Sequence, residues 1–288
     1  MVVKPGYKTR CMKKLLPFLL ATCFSINLSA QSNNQVSIGT IDSLQSRILN
    51  EQRKVWIYVP DSWKPGSTQR YPVVYLLDGD GHFFSVVGMI QQLSQVNGNT
   101  ICPEMIVVAI PNTDRTRDLT PSHVDADPPF MDSAFSKTSG GGEKFAAFIQ
   151  NELIPHIDSL YPTQPYKMLI GHSFGGLTVM NIVMNHTSMF NSYISIDPSM
   201  WWDKMNFLKA TKKHLAEKKF TGTSLYLGIA NTMEEGMNFN TIQKDTSSSS
   251  KHIRSIIELD KEIKSRKQNG LKYASKYYGN DDHSSVPL

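Results

Sequence analysis

Cysteine is nearly absent from this chain. Three occur in 288 residues, and Cys11 and Cys23 both fall within the first thirty. Cys102 therefore stands alone in the remainder, which excludes an intramolecular disulfide there in any compartment. Without a base attached to it in a recognisable motif, it reads as a half-buried structural thiol. No zinc-ligand spacing occurs, and the Asp78-Gly79-Asp80 stretch lacks the further ligands of a calcium loop. Acidic residues are missing from residues 1–30, which hold Lys4, Lys8, Arg10, Lys13 and Lys14. The whole net charge of +5 thus belongs to that segment, and the rest of the chain nets to zero. A nucleic-acid partner is not indicated by such a balance. A long apolar run is missing too. "LLPFLLATCFSINLSA" is too short, and too interrupted at Ser25 and Asn27, to span a membrane.

That apolar run after a basic stretch, ending on the small residue Ala30, reads as a secretory signal. Residues 1–30 are assigned to it, with an exported, periplasmic or secreted product; Thr22 before Cys23 speaks against a lipoprotein. Met12, followed by two lysines, is a more natural start. The remaining length, with 40% hydrophobic and 10% aromatic residues, suits one large domain with a full core.

"SRILNEQRKVWIYVP" alternates around Val55, Ile57 and Val59, as a strand does. "YPVVYLL", "EMIVVAIP", "YKMLIG", "SYISIDPS", "SLYLGIA" and "LKYASKYYG" are further short strands. Between them lie helical patterns: "GHFFSVVGMIQQLSQV", "GGGEKFAAFIQNELIPHIDSLYP", and stretches from about Gly175, near 203–218 and near 251–268. Strands that are continuous apolar runs, alternating with helices, predict an α/β fold with a mostly parallel sheet covered on both faces. Active sites in such sheets form at the carboxyl ends of the strands.

"YKMLIGHSFGGLTVMNIVM" carries the chemistry. Ser173 sits between a strand and a helix in the Gly-x-Ser-x-Gly pattern of a nucleophile elbow. Gly171 and Gly175 let the backbone cross close to itself, and Gly176 lets the helix pack near the sheet. His172, adjacent in sequence, points away and reads as a structural or pocket-wall residue. A base is expected after the last strand, where "YYGNDDHSSVPL" offers His283. A carboxylate is expected after the preceding strand, where "SLYLGIANTMEEGM" offers Glu234 and Glu235; without one, Ser173 and His283 would act as a dyad. The oxyanion donors are expected to be the amide of Phe174 and, in "LLDGDGHF", that of Asp80.

Six ordered motifs, "VWIYVP", "YPVVYLLDG", "RTRDLTP", "GHSFGG", "DPSMWW" and "DDHSSVPL", resemble the esterase family of α/β-hydrolases. The resemblance runs from about residue 36 to the end, and is closest to its enterochelin (siderophore) esterase-like branch. It implies an α/β-hydrolase fold, with Ser173 and His283 catalytic, Asp80 and Phe174 as oxyanion amides, and Glu234 favoured over Glu235 as the acid. It also implies that Arg115 and Arg117 face an anionic or phenolic substrate. Trp201 and Trp202 follow a strand end, where one ring could stack on the substrate and the other pack in the core. Relatives continue past the terminal histidine with a further helix; this chain stops five residues after His283. The domain is read as 31–288, with a C-terminal truncation left open.

The function expected is therefore a serine carboxylic-ester hydrolase working through an acyl-enzyme on a small ester, with no cofactor and no metal. An acyltransferase using the same acyl-enzyme, and a secreted binding protein on an inactive hydrolase fold, are the alternatives. Oligomeric state is not legible.

Overall fold

The computed structural model describes residues 1–3, 6, 36–126 and 132–287. The signal-peptide reading of residues 1–30 lies outside these, apart from residues 1–3 and 6. The chain divides into two units, Met1–Ser37 and Ile38–Leu288, and the second carries the fold.

Its strands are β1 Thr40–Ser46, β2 Glu51–Tyr58, β3 Tyr71–Leu77, β4 Ile106–Ile110, β5 Thr163–His172, β6 Ser192–Ile196, β7 Ser224–Ala230 and β8 Lys272–Tyr278. They form one sheet in the order β1-β2-β4-β3-β5-β6-β7-β8. β1, β2 and β4 pair antiparallel, and every pairing from β4 through β8 is parallel. This is the mostly parallel α/β sheet that the strand and helix pattern predicts, in the α/β-hydrolase arrangement that the family resemblance implies.

The helices are α1 Gly79–Ser94, α2 Arg115–Leu119, α3 Ser133–Ser136, α4 Gly142–Phe148, α5 Ile154–Leu160, α6 Phe174–Asn185, α7 Asn206–Glu217, α8 Phe239–Ile242 and α9 Lys251–Ser265. None among the described residues is long and apolar enough to cross a membrane. α4 and α5 are joined by a π-helical turn at Ile149–Leu153, so the long helix expected over this stretch is one rod with a bulge.

The continuous apolar strands are explained by their two covered faces. In β3, Val73, Tyr75 and Leu77 enter the main core with residues of α6, α7 and α9, while Val74 and Leu76 meet Phe83, Val87 and Ile90 of α1 on the other side. β4 alternates in the same way, with Ile106, Val108 and Ile110 against Val107 and Ala109. β1 escaped the sequence reading because it is a polar edge strand, most of whose side chains face solvent.

Arg53 continues the inward-facing row of Val55 and Ile57 and is 1% exposed. Its guanidinium donates to Asp118 at 2.6 Å and to Glu51 at 2.9 Å. It also lies over the rings of Phe145 and Phe148 at 5.5 and 5.6 Å. A buried cation needs such partners. These anchor α2, and with it the loop that follows β4, to the body of the sheet.

Candidate active site

The β5–α6 connection is as tight as the glycine pattern predicts. A Cβ on Gly171 would fall 2.4 Å from the backbone of Gly175, so no other residue fits. Ser173 has φ 58° and ψ −113°, a conformation that costs a side chain about 1–3 kcal/mol and persists only where its surroundings impose it. Two backbone bonds to the end of β6 and the turn beyond it do so: Ser173 N–H donates to Ile196 O at 3.0 Å, and Ser199 N–H donates to Ser173 O at 3.2 Å. The hydroxyl is thereby held out over the carboxyl ends of β5 and β6.

His283 follows β8 and reaches back across the sheet. Its Nε2 lies 3.1 Å from Ser173 Oγ and its Nδ1 2.6 Å from Asp197 Oδ2. A carboxylate can only accept, so Nδ1 carries the proton and Nε2 is left to accept from the serine hydroxyl. The loop is tethered where Asn231 N–H donates to Asp281 O at 2.7 Å. His172 is stacked on His283 with ring centroids 4.5 Å apart. Burial, then the charge of His283, pushes the His172 imidazole down to about 4. It therefore offers His283 an uncharged wall.

The carboxylate partner is not Glu234. Glu234 and Glu235 are both exposed in the loop after β7, whereas Asp197 directly follows β6 and is fully buried. The end of β7 positions that acid instead of supplying one: Asp197 N–H donates to Gly228 O at 2.8 Å, and Ala230 N–H donates to Asp197 Oδ1 at 3.0 Å. Burial alone would raise the Asp197 carboxyl, but hydrogen bonds from His252, His283 and Ala230 outweigh it and hold the group well below the usual carboxylate range. The sequence signal was an Asp closing a buried strand in "SYISIDPS", one strand earlier than expected.

His252, on α9, is a residue the sequence reading did not single out. Its Nε2 lies 2.7 Å from Asp197 Oδ2, and Trp201 Nε1–H donates to its Nδ1 at 3.0 Å. Atoms of Asp197, His252 and His283 lie within 4.8 Å of one another. Contacts of 2.6 and 2.7 Å are nevertheless those of N–H···O bonds, shorter than the roughly 3.3 Å that bonds of ~2.0 Å impose between donors around tetrahedral zinc.

A shallow cavity of about 310 Å³ opens over Ser173, lined by Arg115, Phe174, Ser199, Trp201, His252 and His283. Of the two arginines, only Arg115 reaches it. They stand in the short helix α2, not in an extended loop, so residues two apart point to opposite sides. Arg115 donates to both oxygens of Asp78, at 2.6 and 2.9 Å, and lies 5.3 Å over the Phe174 ring. Arg117 turns away and pairs with Glu51 at 2.7 Å and Asp118 at 2.7 Å, which corrects its placement at the pocket rim. Trp202 is likewise no pocket residue. It is fully buried, packs edge-on to Phe174, and donates to Ser122 Oγ at 3.1 Å.

Phe174 and Asp80 are first-turn residues of α6 and α1, so both helices present their positive N-terminal ends near the elbow. The β3–α1 turn is as close as the first: a Cβ on Gly79 would lie 2.6 Å from Ile110 N, and Asp78 adopts φ 52° to make it.

A larger cavity, about 560 Å³, lies at the opposite ends of the strands beside Tyr71, Met105 and Met168. Its thiol, Cys102, is pushed up by burial, which makes it a poor nucleophile.

Residues 46–261 match the family described as "Putative esterase". The chain belongs to this esterase family. The match includes Ser173 and Asp197 and stops before His283. Among curated relatives, this family member is 31% identical over 188 residues to the ferri-bacillibactin esterase BesA of Bacillus subtilis, covering 60% of this chain and 64% of that one. It is 24% identical to a siderophore triacetylfusarinine C esterase of Aspergillus fumigatus, over 56% of each. The chain thus spans less than two thirds of the length of these relatives. Among solved structures, an IroE-like serine hydrolase of Shewanella oneidensis superposes with a TM-score of 0.78 at 32% identity, covering 86% of this chain and 76% of that one. The siderophore hydrolase EstA of Aspergillus nidulans shares the fold, with a TM-score of 0.70 at 19% identity, covering 88% of this chain and 92% of that one.

Proposed function

We propose that the protein is a serine carboxylic-ester hydrolase that works through an acyl-enzyme. The observation that carries this reading is the unbroken chain Ser173–His283–Asp197, with contacts of 3.1 and 2.6 Å. His283 Nε2 takes the Ser173 proton as Oγ attacks the ester carbonyl, and the imidazolium that forms is stabilised by Asp197 through Nδ1–H. The amides of Phe174 and Asp80 receive the oxyanion. Collapse expels the alcohol, which takes the proton from His283 and leaves an ester on Ser173. Water, deprotonated by the same histidine, then releases the acid. The test is a fluorophosphonate probe, which labels only an activated serine. Adduct at Ser173 supports the reading, and an unlabelled protein sinks it.

The substrate we propose is a small siderophore-type or phenolic ester met in an exported compartment. The names of the relatives, the basic-then-apolar sequence of residues 1–30, Arg115 beside the nucleophile and the Trp201 ring in the cavity wall support it. A shallow cavity of about 310 Å³ suits one aromatic acyl arm with the rest of the molecule in solvent. Triscatecholate lactone, feruloyl sugar, acetylated xylan and a short p-nitrophenyl ester form the discriminating panel.

Arg115→Ala is expected to raise KM for an anionic phenolic ester about tenfold or more, with kcat little changed. The charge-assisted hydrogen bond that the substitution removes is worth roughly 1.5–3 kcal/mol in ground and transition states alike. A neutral short-chain ester should be nearly unaffected. Arg117→Ala should change neither KM but lower Tm by several degrees, because buried Asp118 is deprived of one of its two cations. Steady-state kinetics on both esters, with a thermal melt, decide; an effect of Arg117→Ala confined to the anionic ester would restore it to the pocket.

A further inference from the structure

We propose that His252 is a positioning residue for the catalytic chain, locked by Trp201 in the Nε2–H tautomer so that it shares one oxygen of Asp197 with His283. The inference rests on the serine-hydrolase reading but is carried by separate contacts. Indole Nε1 is a donor only, so the 3.0 Å bond from Trp201 requires a lone pair on His252 Nδ1. The ring proton is then on Nε2, which donates to Asp197 Oδ2 at 2.7 Å. That same oxygen accepts from His283 Nδ1 at 2.6 Å, while Oδ1 is occupied by Ala230 N–H at 3.0 Å. Three donors therefore fix a fully buried carboxylate that has no freedom to rotate. The two imidazoles meet nearly perpendicular, 5.0 Å between centroids, so each holds its own side of Oδ2.

The consequence is a tuned grip on the base. A carboxylate that already receives His252 is a weaker acceptor for His283, and so stabilises its imidazolium less than a carboxylate with one partner would. The other titratable groups facing His283 are His172 on β5, with His82 of α1 behind it, Asp282 in its own loop, and Arg115 across the cavity. All of these stay in place when His252 is changed.

Three variants and nitrogen-15 spectra test the proposal on the full chain. With p-nitrophenyl acetate, His252→Leu should move the acidic limb of the kcat/KM profile about one unit to higher pH. It should also lower kcat about ten- to a hundredfold through poorer orientation, with KM within about threefold. His252→Gln, whose amide can donate to Asp197, should restore most of both. A uniform fall in rate with an unmoved limb, or a glutamine variant no better than leucine, would overturn the proposal. Nitrogen-15 spectra of the wild-type imidazoles decide independently of catalysis and of how the variants fold. His252 should carry its proton on Nε2 at neutral pH, and Trp201→Phe should release it to populate other forms. A proton found on His252 Nδ1 would refute the proposal. A wild-type protein that neither hydrolyses the ester nor takes a fluorophosphonate would refute the serine-hydrolase reading, while the spectrum still judges His252.

Discussion

Ser173→Ala is expected to reduce turnover of a short-chain p-nitrophenyl ester about 10⁶-fold, the scale on which loss of a nucleophile abolishes a concerted triad. The residual rate would come from the oxyanion amides and from binding, neither of which the substitution touches. Folding should be intact. The described side-chain bond of Ser173 is the one to His283, and alanine keeps the Cβ, so the elbow's strained φ of 58° is no better or worse accommodated. Circular dichroism should be unchanged, and intact mass should show no fluorophosphonate adduct. A variant keeping more than about one hundredth of wild-type kcat/KM would exclude the covalent route, since single triad losses elsewhere run to several orders of magnitude.

Asp197→Asn carries the second largest expected effect, a fall in kcat of about 10⁴-fold. An amide in place of the carboxylate cannot accept at both oxygens while Ala230 N–H, His252 and His283 all donate to it. If its NH₂ turns toward His283, Nδ1 must lose its proton, Nε2 gains it, and the imidazole can no longer receive the serine proton. Glu234→Gln is the matched control. It removes a carboxylate in the exposed loop after β7 and should leave kcat within about twofold. Measuring both variants beside the wild type separates the two acids, and a loss that follows Glu234 instead of Asp197 would dismantle the proposed relay.

What the sequence made legible was what short-range chemistry dictates. Continuous apolar runs such as "YPVVYLL" required two covered faces, and the parallel sheet has them. The glycines about Ser173 required a close backbone crossing, and Gly171 has no room for a Cβ. A histidine in a polar loop past the last strand was a natural base, and the fold places His283 beside Ser173. What stayed hidden depended on direction and on distance along the chain. Arg115 and Arg117 looked equivalent until a short helix turned them to opposite sides. Asp197 lay in plain view at the end of β6, yet which strand end faces His283 is a property of sheet order. His252 belongs to an amphipathic helix with no local motif, and only packing brings it to Asp197. Trp201 and Trp202 are adjacent, and the turn after β6 sends one to the cavity and one to the core.

Among the described residues β8 is an edge strand that pairs with β7, its side chains alternating between exposed and half-buried. The base of the proposed triad therefore hangs from an edge of the sheet, while Ser173 and Asp197 directly follow the central strands β5 and β6. Edge elements of this kind open at a lower free energy than the whole fold. Catalytic competence should then be a separate, less stable cooperative unit than the domain itself. In a urea series, ester hydrolysis should vanish before the far-ultraviolet signal of the sheet, and backbone amides of β8 should exchange faster than those of β5; superimposable transitions would mean that the edge and the core melt as one. Selection acting on activity would in that case act chiefly on how firmly residues 272–283 are docked, a property that a melting temperature for the whole protein does not report.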